Sequence, residues 1–363
     1  MQTCSGAEIK EVGQGLKFLL AGGGTAGHVN PLLATADHLA DLGHQIEVIG
    51  TAEGLESRLV PERGYDLKFI PRLPFPRKLS LGMFAFPFKF LAIALSLKKQ
   101  VRAADCVIGF GGYVSAPVYL AAKIFSTTLV IHEANALPGI ANRFGAKLTS
   151  HVAISFPGRL SGELIGVPLR AEIPASVDYD VQQARVELGL DPSKPVLLVT
   201  GGSQGAQKIN QVVIQASEKL IAAGVQLYHI AGQNNELPEI TAEGYVRVSY
   251  CNRMELAIRA CDFAISRAGA ATVSEFAALG VPALFIPYPV GNGEQKYNVA
   301  QLVESKASLM VEDKDFDVEF INRELIPILS SKKRLMEMSQ KMRSFGKLDS
   351  TEKLVEMALE ASK

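Results

Sequence analysis

Two glycine-rich turns of similar design are the parts of this chain whose residue types could bind a charged substrate. The first is GGGTAGH at 22–28, between an apolar run at 17–21 and a helical pattern that we expect to begin at Pro31. The second is GGSQGA at 201–206, between an apolar run at 196–200 and another helical pattern. Such a turn presents free backbone N–H groups at the positive end of a helix dipole, which suits a phosphate or a developing anion. Neither turn has the spacing of a dinucleotide fingerprint or of a Walker P-loop.

A third motif, SRAGAATVSE at 266–275, begins where an apolar run at 263–266 ends. Small residues at 268–271 allow close backbone approach to a pyrophosphate, Thr272 offers a hydroxyl, and Glu275 can accept two hydrogen bonds from a ribose diol. The alternative is a helix capping box, in which Thr272 caps the helix and Glu275 reaches back to its N–H. The glycine turn upstream and the sequence GEQ downstream favour the nucleotide site.

Two side chains in the first half are candidates for moving a proton. His28 closes the first glycine turn, and an imidazole that titrates near neutral pH suits removal of a proton from a hydroxyl. The alternative is a histidine that caps or packs against the following helix. Glu133 is a second candidate base, and it could equally be a buried carboxylate bonded to the start of a helix.

The hydrophobic pattern alternates strand and helix along almost the whole chain. Predicted strands lie at 17–21, 45–50, 66–70, 106–110, 128–132, 151–154, 196–200, 226–230, 245–248, 263–266, 283–286 and 309–311. Predicted helices include those at 31–42, 55–63, 208–223, 254–259, 271–279, 298–306 and 351–361. Short apolar strands separated by helices are typical of parallel sheets covered on both faces, so the predicted fold class is α/β.

The length of 363 residues exceeds what one core usually spans, so we expect two Rossmann-like domains with the ligand in the cleft between them. The predicted division is an N-terminal extension at 1–15, a first domain at 16–166, a linker region at 167–191, a second domain at 192–345 and a C-terminal helix within 346–363. We expect this helix to be able to pack back on the first domain.

Composition gives no sign of a nucleic-acid partner or of a metal centre. Lys and Arg together number 37, as do Asp and Glu, so no bulk charge favours nucleic acid. The four cysteines form no zinc spacing and, with no signal peptide, are expected to be reduced thiols in a cytosolic protein. No apolar run is long enough to cross a bilayer.

Seven segments in order resemble one family of bacterial enzymes: GGGTAGHVNP at 22–31, GFGGYVSAP at 109–117, HEANALPGIANR at 132–143, GVPLR at 166–170, GGSQGA at 201–206, SRAGAATVSE at 266–275 and GEQKYNVA at 293–300. The family is that of the MurG N-acetylglucosaminyltransferases, which act on the undecaprenyl-linked muramyl-pentapeptide precursor of peptidoglycan. The resemblance extends from about Lys17 to the end of the chain. Several of these segments also occur in other two-domain glycosyltransferases, but together and in this order they are specific.

The resemblance implies a GT-B fold, in which two Rossmann-like domains with parallel sheets face each other across a deep cleft. It implies transfer of GlcNAc from UDP-GlcNAc to the muramyl 4-hydroxyl of lipid I, with inversion, to give lipid II. It further implies that no metal or cofactor is needed, and the sequence agrees in having no Asp-x-Asp and no clustered His or Cys ligands. Leaving UDP must then be stabilised by backbone N–H groups, helix N-termini and hydroxyls.

The resemblance also assigns roles to individual residues. His28, or less favourably Glu133, is the expected base. The residues expected to contact UDP-GlcNAc are Thr25, Ala26, Gly27, Asn135, Arg170, Ser203, Ala270, Ala271, Thr272, Val273, Ser274, Glu275 and Gln295. The residues expected to contact the acceptor are Gly23, Gly24 and Tyr113.

Two positions depart from the family pattern. Ala134 stands where many relatives have Gln in His-Glu-Gln-Asn, and Val167 stands where many have Asn in Gly-Asn-Pro. Both departures affect the expected acceptor contacts, and neither affects the pyrophosphate turns.

A segment at 72–99 is the expected membrane contact. Five phenylalanines lie there among six basic residues without an acidic residue, a composition that suits the headgroup boundary of an anionic leaflet. The alternative is a core helix covering the sheet. The expected location is peripheral, on the cytoplasmic face of the plasma membrane, with partners among the cell-wall synthesis proteins. We predict that replacing Phe84 and Phe86 by serine lowers liposome association.

Two other function classes remain open at this stage. One is another GT-B glycosyltransferase that acts on a glycolipid or a natural product, for which the segments at 266–275 and 293–295 would serve equally well. The other is a sugar-nucleotide epimerase of the same fold or a catalytically silent binder. An epimerase needs several acidic residues in the cleft, and only Glu133 is a plausible one.

Overall fold

The structure, a computed structural model, describes residues 15–73, 81–202, 205–233, 235, 237–238, 240–290 and 292–363. These residues form two α/β domains, each built on its own parallel sheet, as the sequence predicts.

The N-terminal sheet has seven parallel strands in the order β3-β2-β1-β4-β5-β6-β7. These strands are β1 Lys17–Ala21, β2 Gln45–Gly50, β3 Asp66–Phe69, β4 Cys106–Gly109, β5 Thr128–Glu133, β6 His151–Ile154 and β7 Glu163–Leu164. The helices between them are α1 Ala26–Asp41, α2 Glu56–Glu62, α3 Leu81–Ser96, α4 Lys98–Ala103, α5 Gly112–Phe125 and α6 Ile140–Gly145. Every residue of β4 is buried, as expected for a strand covered by helices on both faces.

The C-terminal sheet has six parallel strands in the order β10-β9-β8-β11-β12-β13. These are β8 Val196–Thr200, β9 Gln226–Ile230, β10 Tyr245–Val248, β11 Phe263–Ser266, β12 Ala283–Phe285 and β13 Leu309–Met310. Helices α7 Glu172–Ala175 and α8 Val181–Glu187 precede this sheet. The helices that follow β8 are α9 Gln207–Ala222, α10 Met254–Ala260, α11 Ala270–Leu279, α12 Glu294–Asn298, α13 Ala300–Glu304, α14 Val318–Phe320, α15 Ile326–Leu329 and α16 Lys332–Arg343.

The last helix, α17 Ser350–Ala361, returns to the N-terminal domain. Leu354, Val355 and Ala358 are buried in the same apolar cluster as Phe18 of β1 and Val29 of α1. The Ser350 hydroxyl donates to the Val167 carbonyl at 2.6 Å, and the Thr351 hydroxyl donates to the Leu169 carbonyl at 2.9 Å. These contacts are compatible with the predicted domain division, which remains a prediction.

Four local predictions differ from the structure. Helix α1 begins at Ala26 rather than at Pro31, because the Thr25 carbonyl already accepts from the N–H groups of His28 and Val29, both at 3.1 Å. Pro31 therefore lies inside the helix and removes only its own hydrogen bond. The predicted linker contains α7 and α8, the predicted helix at 298–306 is divided between α12 and α13, and the short strand β7 was not predicted.

Candidate active site

The glycine turns lie at the positions where the strand order of each sheet reverses. In the N-terminal sheet β1 and β4 are neighbours, and the chain leaves them in opposite directions through the turns after Ala21 and Gly109. In the C-terminal sheet β8 and β11 are neighbours, and the turns after Thr200 and Ser266 diverge in the same way. In open parallel sheets the crevice at such a point is where ligands bind. The topology therefore gives each domain one binding crevice.

The first glycine turn is organised around a buried carboxylate that sequence analysis missed. Gly24, in the left-handed region at φ +88°, donates its N–H to Glu56 Oε2 at 2.8 Å. Thr51, which follows β2, donates its N–H and its hydroxyl to Glu56 Oε1, at 2.9 and 2.8 Å. Glu56 is fully buried at the start of α2. The signal in the sequence was a glutamate two residues after Gly54, shortly after a predicted strand.

His28 turns back from α1 towards this same turn. Its Nδ1 lies 3.2 Å from the Gly23 carbonyl oxygen and 3.2 Å from Thr25 Oγ1. Because a carbonyl only accepts, Nδ1 carries the proton and donates it, and Nε2 keeps a lone pair. Burial lowers the pKa of His28, against opposing effects of the Gly23 carbonyl, Glu56 and Glu294. The residue that caps α1 is Thr25, so the alternative of a capping histidine is wrong.

The N-terminus of a second helix, α5, follows β4 and lies against the first glycine turn. Helix α5 begins at Gly112, where a Cβ would lie 2.8 Å from the Gly23 carbonyl oxygen and 3.4 Å from His28 Nδ1. Tyr113 presents its hydroxyl to Gly24, at 3.3 Å from the position of a Cβ there. The Arg72 guanidinium carbon lies 5.1 Å from the centre of the Tyr113 ring. The two helix N-termini and this cation create a positive environment that suits an anionic group.

Both carboxylate oxygens of Glu133 accept hydrogen bonds. Oε1 accepts from the Asn135 N–H at 2.9 Å, and Oε2 accepts from the Gly139 N–H and from Asn142 Nδ2, both at 3.0 Å. Burial raises the pKa of Glu133, and these donors oppose that rise. Gly139 caps α6, so the geometry favours the alternative of a carboxylate bonded to a helix start. Glu133 as a base remains a prediction.

The motif SRAGAATVSE at 266–275, the predicted nucleotide site, forms the turn after β11 and the first turns of α11. The helix begins at Ala270 with Gly269 as its N-cap, so Thr272 lies inside the first turn and does not cap it. The capping-box alternative is therefore wrong. Val273 is buried in the C-terminal core, which leaves only its backbone for a ligand. Ala271, Thr272 and Ser274 are half-buried.

Two residues predicted to contact UDP-GlcNAc pair with each other, Arg170 in the linker region and Glu275 on α11. Arg170 Nη2 lies 3.5 Å from Glu275 Oε1. Burial raises the pKa of Glu275, and the Arg170 charge opposes that effect. The arginine therefore lies beside the carboxylate expected to hold the ribose, at the side of α11 that faces the linker.

Gln295 connects two loops of the predicted donor site. Its Oε1 accepts from the Ala268 N–H at 3.1 Å and from the Tyr288 N–H at 2.9 Å. Only its amide NH₂ is thus offered to a sugar hydroxyl. Ser203 lies outside the described residues. On either side of it, a Cβ on Gly201 would overlap the Ala206 N–H.

Asn298 joins the two domains, a role that sequence analysis did not assign. Its Oδ1 accepts from the Ala136 N–H at 3.0 Å, and its Nδ2 donates to Asn135 Oδ1 at 3.2 Å. The same Nδ2 donates to the Ala268 carbonyl at 3.1 Å. Asn298 is buried and also borders an interdomain cavity of about 260 Å³, whose lining includes Ser274. Its presence in the quoted segment GEQKYNVA was the available signal.

The two departures from the family pattern meet in space. Ala134 and Val167 are both buried and share a small apolar cluster with Ala270, the first residue of α11. Both positions are apolar in this chain and lie in one small cluster at the interdomain contact.

Helix α3 carries most of the expected membrane segment. Phe84 and Phe88 are 73% and 76% exposed, and Leu91 and Leu95 continue the same exposed stripe at helical spacing. Phe86 is half-buried instead, with its ring 5.8 Å from that of Phe90, and its part in the membrane contact remains a prediction. Residues 74–80 of the segment lie outside the described residues. In the part of the chain that is described, no helix is long and apolar enough to span a membrane.

Comparison with known proteins defines the class first. Residues 18–154 match the model of the glycosyltransferase family 28 N-terminal domain, and residues 196–354 match that of its C-terminal domain. The fold is also similar to that of the calicheamicin glycosyltransferase CalG4, with a TM-score of 0.66 at 12% identity over 95% of this chain and 99% of that one. Fold and site together define a two-domain glycosyltransferase of the GT-B type.

Full-length relatives then define the family. The UDP-N-acetylglucosamine–N-acetylmuramyl-(pentapeptide) pyrophosphoryl-undecaprenol N-acetylglucosamine transferase of Clavibacter sepedonicus is 47% identical over 95% of this chain and 96% of its own length. The transferase of that name from Streptomyces coelicolor is 44% identical over 95% and 98%. The crystal structure of Acinetobacter baumannii MurG matches with a TM-score of 0.78 at 26% identity, over 95% of this chain and 99% of that one. This chain belongs to the MurG family, which confirms the resemblance seen in its sequence motifs.

Proposed function

We propose that this chain transfers GlcNAc from UDP-GlcNAc to the muramyl 4-hydroxyl of lipid I, with inversion and without a metal, to form lipid II for peptidoglycan synthesis. The observation that carries the proposal is the pair of crevices at the two strand-order reversals. One holds His28 with Nε2 as a free acceptor, and the other holds the N-terminus of α11. A base and an anion-stabilising helix end on separate domains suit a displacement between two substrates.

UDP-GlcNAc occupies the C-terminal crevice in this proposal. The pyrophosphate lies against the N–H groups of Ala270, Ala271 and Thr272 at the positive end of α11, with the backbone of Val273 and Ser274 nearby. Ser203, which lies outside the described residues, remains a predicted contact. Glu275 accepts from the ribose hydroxyls, and Arg170, already beside it, turns towards the phosphates. The Gln295 NH₂ donates to a GlcNAc hydroxyl.

Lipid I enters at the first glycine turn. The ends of α1 and α5, together with Arg72, favour its pyrophosphate near Gly23 and Tyr113. The Gly24 N–H is already bonded to Glu56, so Gly24 contributes close approach rather than a donor. The transferred sugar meets the first domain at Thr25, Ala26, Gly27 and Asn135.

The reaction is a single displacement. The muramyl 4-oxygen attacks the anomeric carbon, the bond from that carbon to the β-phosphate oxygen breaks, and His28 Nε2 takes the hydroxyl proton. Glu133 shapes the loop that carries Asn135. Positioning and stabilisation of leaving UDP supply most of the acceleration.

The exposed face of α3, with Phe84 and Phe88, rests on an anionic membrane surface at the cytoplasmic side of the plasma membrane. Lys89, Lys98 and Lys99 are exposed beside it and attract anionic lipid. This placement brings the N-terminal crevice to a lipid-linked acceptor and to other cell-wall synthesis proteins.

UDP release from UDP-GlcNAc tests the acceptor assignment. We expect release with a short-chain lipid I analogue that persists in EDTA, and none with hydrophobic natural-product acceptors. Release that depends on the natural-product acceptors instead would make the chain a different GT-B glycosyltransferase. Loss of release in EDTA that is restored by a divalent cation would overturn the metal-independent mechanism.

A further inference from the structure

Glu56 is a buried carboxylate for which the proposed reaction has no direct use. Its two oxygens accept three hydrogen bonds, from Gly24 and Thr51. The surrounding chain leaves space for nothing else, since a Cβ on Gly23 or Gly54 would overlap the carboxylate and one on Gly50 would overlap its Cγ. A buried carboxylate lowers the stability of the fold unless hydrogen bonds or opposite charges compensate for its lost hydration.

Glu56 and His28 are bonded to opposite ends of one peptide unit. The Gly23 carbonyl and the Gly24 N–H belong to the same amide. That N–H donates to Glu56 Oε2 at 2.8 Å, and that carbonyl accepts from His28 Nδ1 at 3.2 Å. An amide whose N–H is bonded to a carboxylate is polarised, and its carbonyl becomes a stronger acceptor.

We propose that Glu56 is a positioning residue for His28 that acts through the Gly23–Gly24 peptide, as a carboxylate–peptide–imidazole relay. This inference rests on the proposed function, in which His28 is the base. Glu56 orients the peptide, the peptide fixes the proton on His28 Nδ1, and Nε2 is left free towards the acceptor hydroxyl. In hydrolytic triads a carboxylate fixes the orientation and the tautomer of the histidine in the same way, but by a direct hydrogen bond.

The relay moves no proton beyond the imidazole. When the muramyl hydroxyl proton reaches Nε2, His28 becomes a cation that still donates from Nδ1 to the Gly23 carbonyl. The Glu56 carboxylate stabilises that cation through the polarised amide. Burial alone would make His28 a weak base, and the buried anion offsets this.

The groups that interact electrostatically with His28 lie on three other elements. Glu56 on α2 and Glu294 on α12 both favour the cation. His132 on β5 has its pKa lowered to about 4 by burial, so it is neutral at physiological pH. The fourth neighbouring element, α5, presents the backbone of Gly112. Only Glu56 reaches His28 through a shared peptide.

The first test uses the unaltered protein and nuclear magnetic resonance. With ¹⁵N-labelled glycine and ¹³C-labelled histidine, we expect the Gly24 amide shift to change with the same pH midpoint as the His28 ring. That change should disappear in His28→Gln. A Gly24 amide that does not respond when His28 titrates would overturn the relay, and this measurement does not depend on a variant of Glu56.

The second test is Glu56→Gln, with Glu62→Gln as the matched control. Glu62 lies on the same helix, is exposed and pairs only with Arg58 among the described ion pairs, so its loss removes the same charge without touching the turn. In E56Q we expect a lower pKa of His28, an acid limb of kcat/KM moved to lower pH, and kcat reduced about three- to tenfold. We expect wild-type values in E62Q. A pKa of His28 that is equal in E56Q and the wild type would overturn the relay.

His28→Ala separates the relay from the proposed function. If H28A keeps wild-type turnover, His28 is not the base, and the function proposal fails in that respect. If H28A loses turnover while E56Q leaves the His28 titration unchanged, only the relay fails.

Discussion

Asn298 Nδ2 donates to Asn135 Oδ1 at 3.2 Å, so a buried amide on the C-terminal domain holds the loop that follows β5 in the N-terminal domain. Since the same side chain bonds Ala136 and Ala268, its three hydrogen bonds link the two crevices directly. Any change in the relative position of the domains must break or remake this link.

Replacing Asn298 by alanine is expected to weaken closure of the cleft. The Ala136 N–H and the Ala268 carbonyl lose their partner, and the domains lose a specific contact. We predict about a tenfold lower kcat and a larger radius of gyration in small-angle scattering with UDP bound. Asn252→Ala, at an exposed position in the same domain, is the control and should change neither quantity. An N298A protein with wild-type turnover and dimensions would contradict this role.

Arg170→Ala is expected to impair donor binding. It removes the cation beside the buried Glu275 and so raises the pKa of that carboxyl further, because burial already favours the neutral form. We predict about tenfold weaker UDP binding by calorimetry, since a charge-assisted phosphate contact is lost as well. Arg253→Ala breaks an exposed pair with Glu187 and should leave UDP binding unchanged. Unaltered affinity in R170A would remove Arg170 from the donor site.

His28→Ala is expected to reduce kcat about 10²- to 10⁴-fold, the usual range for loss of a positioned base. Because its Nδ1 is directed at the Gly23 carbonyl on the acceptor domain, the affinity for UDP should stay within about twofold. Turnover and UDP affinity, measured on the same preparation, show whether His28 acts in the reaction or in UDP binding. A large loss of UDP affinity would mean that His28 supports the donor site instead.

Phe84→Ser combined with Phe88→Ser is expected to lower sedimentation with anionic liposomes while leaving UDP affinity intact. These side chains are the most exposed phenylalanines of α3, and each buries apolar area in the headgroup region. Val186→Ser with Met336→Ser removes two exposed apolar side chains elsewhere and serves as the control. Equal liposome binding by all three proteins would show that α3 is not the membrane contact.

His229 should make the C-terminal domain less stable in mild acid. Burial lowers its pKa from 6.5 to about 4, so between these values the unfolded chain binds a proton that the folded domain does not. The free energy of unfolding is therefore highest above pH 6.5 and falls as the pH drops towards 4. At pH 5 this group has lowered it by about 2 kcal/mol.

Urea unfolding of the wild type, His229→Gln and His151→Gln at pH 7 and pH 5 measures this effect. His151 is exposed, so its replacement should leave the pH dependence as it is in the wild type. In H229Q the difference between the two pH values should shrink. An unchanged pH dependence in H229Q would contradict the assignment.

The fold was largely predictable because its signals are local. Each predicted strand corresponds to a strand in the structure, since a strand buried on both faces must be a short apolar run, as at Val196–Thr200. The sequence predicts the start of α1 too late because proline is common at the first position of a helix, whereas Pro31 lies inside this one. A proline inside a helix costs one hydrogen bond, and here the cap at Thr25 decides where the helix begins.

The site was predictable only where the chemistry lies within one motif. The sequence indicated His28, Arg170 and Glu275, but not that Arg170 of the linker region pairs with Glu275. Glu56 and Asn298 were missed because their partners are distant in the chain or in the other domain. Likewise, only the fold shows that Ala134 and Val167 contact each other.

The configuration of the transferred sugar tests the central claim most directly. The purified protein is incubated with ¹³C-labelled UDP-GlcNAc and a short-chain lipid I analogue, and the product is analysed by nuclear magnetic resonance. The account predicts one disaccharide in which GlcNAc is β-linked to the muramyl 4-oxygen. An α-linkage, attachment at another hydroxyl, or release of free GlcNAc without transfer would contradict it.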